Sequence, residues 1–302
     1  MNIRLIDVDS HNFPNLPLMK LSAYHKMKGD HVDWYDPLSA WKESPDLVYM
    51  SKVFSFTCDY EHPVIAKSII RGGTGYYYPD GGKTLPDKIE HIYPDYSLYP
   101  DMTRDTAYGF LTRGCPRGCG FCVVGEKEGR KSAKVADLSE FWRGQKNIKL
   151  LDPNMFACSQ WKDISDQLIE SKAYIDFTQG CDIRIMTSEM AEVIKHMKIK
   201  QIHFAWDRYE DKEKIVPKFK LFQEVTGWKR GKMSVYVLVG YGTTFEQDLE
   251  RVYTLIDLGY SPYVMIYDKY KKKAKDPLVR LQRWVNARLC YSTCKKFEDY
   301  VS

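Results

Sequence analysis

The chain has 302 residues, 44% hydrophobic, 28% charged and 14% aromatic, the composition of a folded protein with room for one large domain or for one domain and a smaller one. No apolar run reaches the roughly 18 residues of a membrane-spanning helix, and the opening MNIRLIDVDSHNFPNLP lacks the basic flank and apolar stretch of a secretory signal. The formal net charge of +5 is too small to argue by itself for a nucleic-acid partner.

In chain order, Ile3–Asp9 reads as a strand and Leu16–Gly29 as a helix that stops at glycine. HVDWYD and DLVYMSKVFS read as two further strands, and HPVIAKSIIRGG as a helix ending at Gly72–Gly73. These elements predict a small α/β unit over residues 1–100. The segment YYYPDGGKTLPDKIEHIYPDYSLYPD has the Pro, Gly and Asp content of a connector, which puts a domain boundary near residue 100. Beyond it, strands are expected at Tyr108–Arg113, Asn147–Asp152, Tyr174–Gln179, Lys200–Trp206, Met233–Tyr241 and Ser261–Asp268. Helices are expected at Gln160–Ser171, Ser188–Met197, Lys212–Thr226, Phe245–Leu258 and from Leu278 onward. Repeated βα units build a parallel sheet. Residues 101–302 are therefore expected to form a partial (βα)6 barrel, with ligands at the carboxyl ends of its strands.

The first of those strands runs into RGCPRGCGFCVVGEKEG, with the spacing Cys115-x3-Cys119-x2-Cys122. Without an export signal the expected compartment is the reducing cytoplasm, where clustered cysteines bind metal or do chemistry. Three thiolates fall one short of a closed zinc site. An iron–sulfur cluster held by three thiolates keeps one iron open to a small molecule, and soft thiolates suit it. Gly114, Gly118 and Gly120 let a loop wrap such a group closely.

Cys-x3-Cys-x-aromatic-Cys after the first strand of a six-fold βα series resembles the signature of the radical S-adenosylmethionine (SAM) enzymes, and the resemblance covers about residues 108–290. It implies that Cys115, Cys119 and Cys122 hold a 4Fe–4S cluster whose open iron binds the methionine end of SAM, with Phe121 against the adenine. It further implies reductive cleavage of SAM to a 5′-deoxyadenosyl radical, with an external one-electron donor such as flavodoxin or ferredoxin. Where many members carry Gly-Gly-Glu after the second strand, this chain has LLDPNMF, so Asp152 and Asn154 are the candidate acceptors for the SAM amino group. Gln179, Asp182 and Arg184 after the third strand resemble the family's ribose and carboxylate contacts. Tyr241, within VGYGTTFE after the fifth, is the remaining cofactor candidate.

The N-terminal unit resembles a degenerate cobalamin-binding domain. DSHNFP keeps Asp-x-His of a cobalamin motif without its glycine, so His11 is expected at a turn or surface and no cobalamin is expected. Cys290 and Cys294, four apart, are expected on one helix face, too few alone for an auxiliary cluster. The basic run DKYKKKAKD reads as a solvated loop, with a phosphate-contacting loop as the alternative.

No RNA-binding module or cysteine-rich extension is visible, so the expected substrate is a small molecule. Asp207 and Asp268 at strand ends, with Trp206 and Tyr267 as aromatic walls, suit a flat, amine-bearing heterocycle. In size and layout the chain is most similar to the queuine lyases, which free a 7-deazaguanine base by C–N cleavage. Two alternatives remain: a radical SAM enzyme modifying tRNA or another macromolecule, and a non-catalytic iron–sulfur or zinc protein.

Overall fold

The computed structural model describes residues 1–10 and 12–300; His11 lies outside them. The architecture is mixed α/β with parallel sheets. The chain divides into two compact units, Met1–Pro153 and Asn154–Ser302.

The first unit opens with a four-stranded parallel sheet of β1 (Asn2–Asp7), β2 (His31–Trp34), β3 (Leu47–Ser51) and β4 (Ile69–Gly72), in the order β2-β1-β3-β4. Alternate residues of β1 explain its place at the centre. Ile3 and Leu5 pack into one cluster with Leu18, Met19 and Leu47, while Ile6 packs on the other face with Val48 and Met50. The helix Leu16–Met27 covers the first face. Asn15 caps it by accepting from the Leu18 N–H, and Pro17 is tolerated where no intrahelical donor is needed.

One expected helix is a strand. Within HPVIAKSIIRGG the residues Ile69–Gly72 pair with β3, Val48 opposite Ile69. The isoleucine spacing fits either period, and adjacent β-branched residues favour the pleat. The connector is also more ordered than its composition implies. The Tyr96 hydroxyl donates to the Phe141 carbonyl at 2.6 Å and accepts from the Tyr108 N–H at 3.1 Å. The Tyr99 hydroxyl donates to Asp7 at 2.6 Å, at the end of β1. Residue 100 therefore lies inside the first compact unit. That unit continues with β5 (Thr106–Gly109), β6 (Thr112–Arg113), β7 (Ala133–Lys134) and β8 (Asn147–Leu150). β5 and β8 pair in parallel, and β6 and β7 antiparallel.

The second unit alternates strands and helices. β9 (Tyr174–Phe177) is followed by β10 (Ile202–Ala205), β11 (Met233–Val239) and β12 (Ser261–Ile266), and the last three form a parallel sheet in that order. Parallel strands buried on both faces read as near-continuous apolar runs, which is how MSVYVLV reads. Helices Lys212–Thr226, Phe245–Asp257 and Pro277–Asn286 follow β10, β11 and β12. Phe204, Phe219, Phe222 and Tyr260 form an aromatic core, with Phe204 and Phe222 edge to face at 4.9 Å. Each such buried ring contributes about 1.5–3 kcal/mol. The last helix ends at Asn286, so Cys290 and Cys294 do not share a helix face. Cys290 is buried in the short turn Leu289–Tyr291, and the Cys294 thiol donates to the Lys296 carbonyl at 3.1 Å.

Candidate metal centre and strand-end cluster

The cysteine loop leaves the sheet at β6 and returns at β7, so a ladder pairing Arg113 with Ala133 and Thr112 with Lys134 closes its base. Inside that base, the Cys115 N–H donates to the Gly129 carbonyl at 3.1 Å and the Gly114 N–H reaches Glu128 at 3.3 Å. Glu128 also takes Arg113 at 2.9 Å. Gly114 has φ +81°, and a Cβ there would stand 2.2 Å from the Lys131 carbonyl oxygen, so no other residue fits. The Cys122 N–H turns back to the Cys119 carbonyl at 3.0 Å, and the helical turn Val124–Lys127 follows. Cys115 and Cys119 are half-buried and Cys122 is exposed, as a loop that receives an external group requires.

Asp152, expected to meet a cofactor, has another task. Its buried carboxylate accepts from the Leu111 N–H at 3.1 Å, the Thr112 N–H at 2.5 Å and the Thr112 hydroxyl at 2.7 Å. It thereby fixes the strand that delivers the cysteine loop. Burial pushes this carboxyl up to about 6, against the pull of those hydrogen bonds. A folded pKa above the unfolded one means the folded state holds the proton more tightly, so this group's contribution to stability falls as pH rises from 3.8 to about 6. Asp152→Ala leaves two buried N–H groups without an acceptor. It is expected to lower unfolding free energy by about 2–5 kcal/mol in urea at pH 7, and to flatten the stability profile between those two pH values.

The donors at the loop are three soft thiolates, a set that would fit an iron–sulfur cluster with one iron left open. Among the described residues, no three His, Cys, Asp or Glu side chains are gathered closely enough to hold one metal ion. A zinc tetrahedron needs four ligands converging on one point. A cluster presents separate irons to separate thiolates, so its ligands stand farther apart. Three soft thiolates on a glycine-rich loop fit that demand.

In the second unit, polar side chains gather beyond the ends of β9, β10 and β11. Asp182 accepts from its own turn, the Arg184 N–H at 3.1 Å and the Arg184 Nε at 2.7 Å, and Asn154 reaches its other oxygen at 3.4 Å. Arg184 also lies 3.6 Å from Asp211. Burial raises the Asp207 pKa, while Arg251 and Arg184 pull it down. Beneath them is a fully buried ion pair, Asp248–Arg251, at 2.5 Å. Arg251 donates to the carbonyls of Trp206 at 2.6 Å and Leu238 at 2.7 Å, and Asp248 accepts from the Gly240 N–H at 3.0 Å. The pair thus sets the spacing between the ends of β10 and β11.

Of the expected site residues, Asn154, Asp182, Arg184 and Asp207 come together. Gln179 is exposed. Tyr241 and Tyr267 pack ring to ring at 4.8 Å. Trp206 is not a wall of any opening: it is 1% exposed and its indole N–H donates to the Arg208 carbonyl. Asp268 has φ +49° and pairs with Lys271 at 2.5 Å on the surface. Arg251, Asp248 and Asp211 were missed, although Asp248 and Arg251 fall on the stripe of Val252 and Leu255 along their helix. Also missed were His203 and Tyr236, which stack at 5.1 Å and 2° on neighbouring strands, with Tyr263 edge-on at 5.9 Å. Burial lowers the His203 pKa, so its ring is neutral, and its buried Nδ1 has no partner among the described residues.

No protein-family model matches the sequence, and no curated protein matches it either. Among solved structures, the chain is similar in fold to the radical S-adenosylmethionine methyltransferase TsrM from Kitasatospora setae, solved with cobalamin and a 4Fe–4S cluster bound. The superposition has TM-score 0.58 at 12% identity and covers 87% of this chain and 74% of that one. Streptococcus suis SuiB, solved with its precursor peptide SuiA, matches at TM-score 0.42 and 14% identity over 63% of this chain and 46% of that one. The fold of this chain is thus one that a radical SAM methyltransferase also adopts.

Proposed function

We propose that this chain is a radical SAM enzyme. The observation that carries the reading is the trio Cys115, Cys119 and Cys122 on a glycine-rich loop directly after a strand. The fold shared with TsrM supports it. Cys115, Cys119 and Cys122 would hold a 4Fe–4S cluster, which would supply the one-electron reduction that cleaves SAM. The chain's own residues then have positional work. Asn154, Asp182 and Arg184 offer the acceptors and the cation that a bound amino acid and ribose need. Asp207, kept neutral more readily by burial, offers a donor or an acceptor to a heterocycle edge. The neutral His203, stacked on Tyr236, offers a flat platform and an unsatisfied ring nitrogen.

A planar, amine-bearing heterocycle suits that set, and queuine, cleaved at its C–N bond to release a 7-deazaguanine base, is the specific substrate we propose. The donor of the electron would be a flavodoxin or ferredoxin. We propose further that the N-terminal unit takes no cobalamin. Asp9, beyond β1, spends its buried carboxylate on the Val53 and Phe54 N–H groups and the Thr57 hydroxyl, so that acid is engaged by the chain itself.

The test is anaerobic reconstitution with iron and sulfide, then reduction with SAM and a panel of deazapurines, read by mass spectrometry. Deoxyadenosine formation, a product lighter by the cyclopentenediol fragment from queuine alone, and no cobalamin retained on gel filtration are the expected results. Deoxyadenosine without any deazapurine product would overturn the substrate. Absence of both iron and deoxyadenosine would overturn the enzyme class.

A further inference from the structure

Arg130 lies across the backbone of the cysteine loop. A Cβ built on Gly118 would stand 2.5 Å from its Nη1, and one built on Gly125 would stand 3.7 Å from its Nε and 3.8 Å from its Cζ. Gly118 directly precedes Cys119, and Gly125 lies in the turn Val124–Lys127 just after Cys122. The guanidinium therefore spans both ends of the segment that carries two of the three thiols. No positive φ demands glycine at 118; the room it leaves is taken by Arg130. The nearby Arg113 is committed elsewhere, 2.9 Å from Glu128 and with its Cζ 3.4 Å from the centre of the Phe110 ring.

We propose that Arg130 is a positioning residue that sets the reduction potential of the cluster held by Cys115, Cys119 and Cys122. This rests on the three-thiolate cluster proposed above. Such an assembly is already anionic, and reduction adds one more negative charge. A guanidinium, charged at every working pH, stabilises the reduced form more than the oxidised one. For a charge about 12 Å away at an effective dielectric of about 20 the preference is about tenfold, which for one electron is about 59 mV.

The experiment compares wild type, Arg130→Gln, Arg130→Lys and Gly118→Ala after anaerobic reconstitution. Iron and sulfide are counted first, and the midpoint potential is then read by redox titration followed by electron paramagnetic resonance. Arg130→Gln is expected to hold its iron and to show a reduced-to-oxidised ratio about tenfold lower at the wild-type midpoint. Arg130→Lys keeps most of the wild-type potential. Gly118→Ala shifts it in the same direction as Arg130→Gln, because the new methyl group pushes Nη1 aside, and adds nothing in an Arg130→Gln background. Wild type that takes up no iron removes the cluster, and the proposal with it. A loaded Arg130→Gln protein with an unchanged midpoint removes the proposal alone. If Arg130→Gln loads poorly, Gly118→Ala carries the comparison, and an unmoved midpoint there overturns the proposal.

Discussion

Cys119→Ala is expected to yield a folded protein that holds less than half the wild-type iron and forms no measurable deoxyadenosine, and Cys115→Ala or Cys122→Ala to do the same. Each thiolate of the proposed cluster would anchor its own iron, so the loss of one would leave a corner held by nothing. The base of the loop is also held by groups other than the thiols. Its backbone is fixed by Gly129 against Cys115, by Glu128 against Arg113 and Gly114, and by Asp152 against Thr112. Cys119 is only half-buried and Cys122 is exposed, so removing either thiol opens no large cavity. The urea midpoints of the metal-free proteins should therefore coincide with wild type. Iron analysis, deoxyadenosine chromatography and urea unfolding on the same preparations give the comparison. Full deoxyadenosine yield from any of the three variants would refute the site.

The largest effect on stability is expected at Arg251. Arg251→Ala strands Asp248, which is 0% exposed, and frees the carbonyls of Trp206 and Leu238 inside the core. Removing one partner of a buried ion pair costs about 3–5 kcal/mol, because a charge is left without compensation. Asp248→Ala is expected to fall in the same range, since it strands the cation and the Gly240 N–H instead. The two changes share one interaction. A double variant with both side chains replaced should therefore lose clearly less than the sum of the single losses. Urea denaturation of the three variants measures this. Single variants within about 1 kcal/mol of wild type would mean that water reaches the pair.

The alternation of strand and helix from residue 147 onward was legible because each strand is a short apolar run bounded by turn residues, and each helix has a stripe of its own. Thr244 and Gln247 form a capping box that begins the helix Phe245–Asp257 where the pattern puts it. The cysteine spacing was legible for a different reason: three thiols and their glycines are local in sequence. What was not legible depends on partners far along the chain. Ile69–Ile70 became a strand because β3 lies beside it to pair with. Asp152 looked like a strand-end ligand, yet its acceptors are filled by Leu111 and Thr112, 41 and 40 residues earlier. Trp206 looked like an aromatic wall, and only the surrounding core decides that it is buried. His203 and Tyr236 were passed over because each alone is an ordinary strand residue. Their meaning lies in the stacking across β10 and β11.

The short seam of β6 and β7 has a bearing on how the protein matures. Among the described residues, the ladder that flanks the stretch from Gly114 to Ser132 is two residues long on each side. Local opening free energies range from near zero up to that of whole-molecule unfolding, and a seam this short belongs at the low end. The thiol-bearing stretch is thus expected to exchange its amide hydrogens ahead of β1–β5 and β8. An inorganic group carried there would then be open to insertion after folding, and to loss and replacement, without the polypeptide being remade.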